Sequence, residues 1–147
     1  MRKTILSIAA LLSGTVLLAA HLEPLNVKSG LWQVTMTSKI NRLPAPTTST
    51  YKSCVKKDDL NKYPFTDPEA KCRWNVVSST STTMEAAGTC APEGMGKVVF
   101  KMRLQAIDPG NVQGTGEMTA HAPDGPLNGT YSGSARWVSA NCPADTK

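Results

Sequence analysis

His121 is the residue best suited by type to move a proton near neutral pH, since imidazole alone among side chains titrates there unperturbed. Two carboxylates lie close to it in sequence, Glu117 on one side and Asp124 on the other. A hydrolase built from them needs all three side chains to meet in one pocket, with a nucleophile or water beside them. Serine supplies no ready nucleophile. The run Tyr131-Ser132-Gly133-Ser134-Ala135 lacks glycine on both sides of a serine at the spacing of a nucleophile elbow, and no helix can follow it. Asp58 and Asp59 are adjacent and therefore point apart on a helix or a strand. Gly114-Thr115-Gly116 has the glycine spacing of a phosphate loop without the helix N-terminus that would bind the anion. No catalytic set and no cofactor motif emerges from these residues.

Four cysteines, Cys54, Cys72, Cys90 and Cys142, carry the other chemistry. A zinc site asks for close ligand pairs or a neighbouring histidine. The four are widely spaced, and His21 and His121 stand far from any useful interval, so no metal set is read here. An even number of cysteines in an exported chain reads as disulfides. Trp32, Trp74 and Trp137 form the third group: three tryptophans beside only two phenylalanines must supply much of the core. Each is also a candidate binding anchor, because indole combines a large apolar area with one donor.

The elements that would position these residues are short strands. Trp32, Val34 and Met36 alternate with polar neighbours from Gly30 to Thr37, the period of a half-buried strand. Leu43-Pro44-Ala45-Pro46 breaks it, and Thr47 to Val55 returns. Lys56 to Tyr63 is the one helical stretch, limited to a turn or two by Pro64. Strands follow from Cys72 to Val77 and from Thr83 to Cys90, with a polar Ser/Thr turn between them. Past the Pro92 to Gly96 turn, Val98, Phe100, Met102 and Leu104 take one face, and Val99, Lys101, Arg103 and Gln105 the other. Asp108 to Asn111 and Pro123 to Pro126 are turns by their chemistry, dividing the strands Val112 to Ala122 and Gly129 to Val138. Glycines 114, 116, 129 and 133 would let these late strands bend. The fold class is all-β: a single antiparallel, strongly curved meander sheet, a partial barrel or small sandwich with one short helix, stapled by disulfides.

Residues 1–20 have the layout of a secretory signal peptide: Arg2 and Lys3, an apolar run from Ile5 to Leu18, then Ala19 and Ala20. The apolar run is too short and too interrupted for a membrane-spanning helix, so no transmembrane anchor is expected after cleavage. The mature part, residues 21–147, reads as a single β domain in the periplasm, or outside the cell. Without Arg2 and Lys3 the net charge falls from +5 to +3, and the basic residues form no stripe of the kind nucleic acid requires.

Gly30-Leu31-Trp32-Gln33-Val34-Thr35-Met36, Tyr51-Lys52-Ser53-Cys54-Val55, Lys57-Asp58-Asp59-Leu60, Cys72, Cys90 and the closing Ala135-Arg136-Trp137-Val138-Ser139-Ala140-Asn141-Cys142 together resemble the domain of unknown function 3617 family over nearly the whole mature chain. Ser139 departs from that pattern, where glycine is expected. The resemblance implies a periplasmic bacterial β protein with paired cysteines and implies no activity. Four cysteines allow three connectivities. The expected one joins Cys54 to Cys72, pinning the helical excursion, and Cys90 to Cys142, tying the last strand to the middle of the chain. The functional expectation is a non-enzymatic module that binds a protein partner, an envelope component or a small ligand on a curved sheet. Its alternative is a small hydrolase using His121 with the nearby acids.

Overall fold

The computed structural model describes residues 22–65, 71–91 and 96–144. Seven strands make up the sheet: β1 (Gly30–Ile40), β2 (Thr47–Val55), β3 (Cys72–Ser79), β4 (Thr83–Cys90), β5 (Val98–Asp108), β6 (Asn111–Ala122) and β7 (Gly125–Ser139). All pairs are antiparallel, in the order β2-β1-β7-β6-β5-β4-β3. The expected all-β class and single curved sheet are therefore present, and the sheet is not closed. An odd number of antiparallel strands leaves the two edge strands, β2 and β3, running in the same direction. The helical stretch contracts to one 3-10 turn, Lys57–Asp59, whose N-cap residue Lys56 offers no side-chain capping bond.

Alternation puts the apolar residues on the inner face. Trp32, Val34, Met84, Ala86, Met102, Leu104, Val112 and Ala135 form the main core, and Val98, Met118 and Ala120 a second cluster toward the other end of the sheet. Full burial of each large side chain contributes about 1.5–3 kcal/mol. Two strands approach closely where a side chain would not fit: a Cβ on Gly133 would stand 2.6 Å from the Thr35 carbonyl across the β1–β7 pair. Gly88 likewise makes room for the Trp74 ring lying over it.

Two irregular segments finish the enclosure. Residues 22–29 cross the end of the sheet where β1 begins. Their backbone donates from Glu23 to the Ser79 carbonyl, from Asn26 to Ser81 and from Lys28 to Pro109, while Leu25 (1% exposed) and Val27 face the core. The connection after β2 packs under the inner face, with Phe65 against Trp32 and Tyr63 against Trp74. Tyr51 Oη donates to the Phe65 carbonyl and Ser53 Oγ to that of Pro64, which buries Tyr63 and Phe65. Among the described residues, the void bounded by Val34, Tyr63, Phe65, Leu104 and Gly114 measures about 20 Å³, room for one water.

The disulfides join Cys54 to Cys142 and Cys72 to Cys90, not the expected pairs. The expectation placed β2 beside β3, as a simple meander would. Instead β1 pairs with β7 as well as β2, which carries the end of the chain to the end of β2 and sends β3 to the opposite edge. Leu31 is in register with Cys54 on one side and Ser139 on the other, so the first bridge spans β1. Cys72 and Cys90 face each other directly across β3 and β4.

Candidate functional site

The residues proposed for acid–base chemistry do not converge. His121 is exposed on the outer face of β6, in register with Pro126, and makes no hydrogen bond or ion pair among the described residues. Glu117 shares that face four residues earlier, about 13 Å along an extended strand. Asp124 sits in the β6–β7 turn, where its backbone carbonyl accepts from Arg42 Nη2 at 2.8 Å. Asp59 is paired with Lys62 at 2.8 Å, which raises the lysine pKa through that hydrogen bond and the carboxylate charge. Among the described residues, no three His, Cys, Asp or Glu side chains gather as a metal would require.

The three tryptophans are engaged in the fold's own packing. Trp32 is fully enclosed, its Nε1 donating to the Lys28 carbonyl at 2.9 Å and its ring edge-on to Phe65. Trp137 Nε1 donates to the Ser29 carbonyl, and the Lys28 ammonium lies 4.6 Å from the Trp137 ring centre. Both indoles thus hold the capping arm. Trp74 is half-buried in a run of rings, stacked on Tyr63 at 4.1 Å and tilted against Phe100, which meets Tyr131. Its Nε1 is buried without a hydrogen-bond partner among the described residues.

The interior being full, the larger concavity lies outside. A strongly twisted sheet is saddle-shaped, so its outer surface is hollow along one diagonal. One such hollow is an open groove of about 670 Å³ crossing β3 to β7, bordered by Val77, Glu85, Lys101, Arg103, Thr115, Glu117 and Thr130. Register places these groups in rows. Glu85 faces Arg103, which faces Thr115; Ala87 faces Lys101, which faces Glu117, which faces Thr130. Arg103 Nη1 and Glu85 Oε1 are 3.0 Å apart, while Val77, 55% exposed, forms an apolar end beyond them. The groove offers two cations on β5 flanked by a carboxylate on each neighbouring strand. Such a surface can hold a ligand by charge and hydrogen bonding.

Sequence reasoning saw Lys101 and Arg103 only as the polar half of an alternating strand. The signal for the groove was that alternation taken together with Glu85 on β4 and Glu117 on β6, which becomes legible only once the register is known.

A family model described as a protein of unknown function (DUF3617) matches residues 27–142. Among curated proteins, no match is found. Among solved structures, a redesigned β barrel is similar at 11% identity, covering 76% of this chain and 91% of that one. Its TM-score is 0.25, too low to carry an argument.

Proposed function

The chain belongs to the DUF3617 family of proteins of unknown function, and from that premise we propose that it is an exported, non-enzymatic binding module whose ligand-facing surface is the groove on the outer face of β3 to β7. The observation that carries this reading is the contrast between the two faces. Inside, the protein's own side chains leave space for a single water; outside, an open groove presents Lys101, Arg103, Glu85 and Glu117 in register. A binding partner for such a surface is a protein segment or envelope component with charges of both signs, and not an apolar molecule held in a barrel. Residues 1–20 direct the chain to the periplasm in this reading, and the two disulfides fit an oxidising compartment.

A photocrosslinking residue placed at Thr130, inside the groove, tests this in the producing cell, with the same residue at Gln33, outside it, as the control. Adducts formed from Thr130 and absent from Gln33 support the groove. Equal labelling from both positions, or labelling from Gln33 alone, removes it.

A further inference from the structure

The outer groove holds two cross-strand pairs of opposite charge, and the fold treats them differently. Between β4 and β5, Arg103 Nη1 and Glu85 Oε1 stand 3.0 Å apart, and Ser78 Oγ donates to Glu85 Oε2 at 3.3 Å, so both charges are engaged within the chain. Between β5 and β6, Lys101 and Glu117 are directly in register and both exposed, yet among the described residues neither makes a hydrogen bond or an ion pair through its side chain. Neighbouring strands lie about 4.7–4.9 Å apart, so an ammonium and a carboxylate stand side by side and open to the groove. The row continues on either side of them. Thr130 faces Glu117 from β7, its hydroxyl also unbonded among the described residues, and Ala87 faces Lys101 from β4, with exposed Val77 bordering the groove beyond. From β7 to β3 the surface therefore presents a hydroxyl, a carboxylate, an ammonium and an apolar step.

We propose, resting on the groove reading above, that this row binds an α-amino-acid zwitterion: a free ammonium and a free carboxylate on one carbon, with an apolar chain attached. The ligand ammonium donates to the Glu117 carboxylate and the Thr130 hydroxyl oxygen, Lys101 Nζ donates to the ligand carboxylate, and the apolar chain runs toward Ala87 and Val77. A ligand with charge of one sign only is disfavoured, because either sign meets a like charge one strand away. An exposed ion pair contributes little, so a passing contact between Lys101 and Glu117 themselves is displaced at small cost. The same exposure keeps the affinity modest, with a dissociation constant on the order of 1 mM. A free amino acid carries this chemistry, and so does a diamino-acid residue of an envelope peptide whose far end is unlinked.

Amide chemical shifts of the oxidised protein, titrated with L-leucine, N-acetyl-leucine and leucinamide, test the row. The expected result is saturable shifts at Lys101, Glu117 and Thr130 with leucine, and binding weaker by at least about tenfold for each derivative, since each lacks one of the two charges. Glu117→Gln removes the preference over N-acetyl-leucine and Lys101→Gln the preference over leucinamide, whereas Lys52→Gln, exposed on β2, changes neither. A peptide whose diamino-acid residue ends in a free zwitterion separates the two sources: binding tighter than leucine assigns the envelope peptide, and weaker binding assigns the free amino acid. Equal binding of leucine and its two derivatives overturns the proposal. So does the absence of any shift at leucine concentrations well above the millimolar range; if Thr130 still forms adducts in the cell, the groove reading survives that failure, and if those adducts are missing too, both fall.

Discussion

Trp74 shows how tightly the inner face is committed. Its ring lies between Tyr63 and Phe100 and rests on Gly88, where an added Cβ would stand 2.5 Å from the indole. Gly88→Ala is therefore an overpacking change and should cost about 1–3 kcal/mol in denaturant unfolding. The neighbouring phenols report on the same enclosure through pH. Burial pushes Tyr131 up to about 12, and burial followed by the nearby Tyr51 phenol raises Tyr63 above the usual tyrosine value. Each keeps its proton longer folded than unfolded, so the stability it contributes is whole below pH about 10, where a free phenol titrates, and is lost as pH rises toward about 12. The denaturant midpoint should fall through that window, and Tyr131→Phe should make the fall shallower by removing one of the two groups.

At the scale of the element, the two disulfides make unequal crosslinks. Cys54–Cys142 closes a sequence separation of 88 residues and Cys72–Cys90 one of 18. On the chain-entropy account these correspond to about 4.6 and about 3.2 kcal/mol, so replacing the first pair by serine should lower stability by about 1.4 kcal/mol more than replacing the second. The capping arm makes its own prediction: Leu25→Ala removes a fully buried side chain and should cost about 2–5 kcal/mol, read from the unfolding midpoint. The strands themselves were legible in the sequence because alternation and turn chemistry are local. Trp32, Val34 and Met36 fall on the inner face of β1 as their spacing requires, and Asp108 stops β5 by accepting from the Gly110 backbone and Asn111 Nδ2. The cysteine pairing was not legible. It depends on β7 returning to β1, a contact between residues about a hundred positions apart that no local pattern encodes. The outer groove was hidden for the same reason: Glu85, Arg103 and Glu117 become neighbours only through the β4–β5–β6 register.

As a whole molecule, the protein turns one face of its sheet inward and packs it with an arm at one end and the connection after β2, and on the proposed reading its binding surface is the outer face. An enzyme built on His121 would need Glu117 and Asp124 beside it, and the fold spreads the three along the outer face of β6 and into the next turn. A carrier for an apolar molecule would need an interior hollow, and the void that the described residues leave between Val34, Phe65 and Leu104 is about 20 Å³. What remains is a disulfide-linked sheet with a charged groove on its outer face, which we propose is exported. Its most direct test is native mass spectrometry of the protein isolated gently from the periplasm of its own producer, as wild type and as the groove double variant Lys101→Glu with Arg103→Glu. The account predicts a chain running from His21 to Lys147, lighter by two hydrogens for each disulfide, carrying a bound species that leaves on unfolding and is missing from the double variant. A bound species held equally by both proteins, or a chain still carrying Met1 to Ala20, would contradict it.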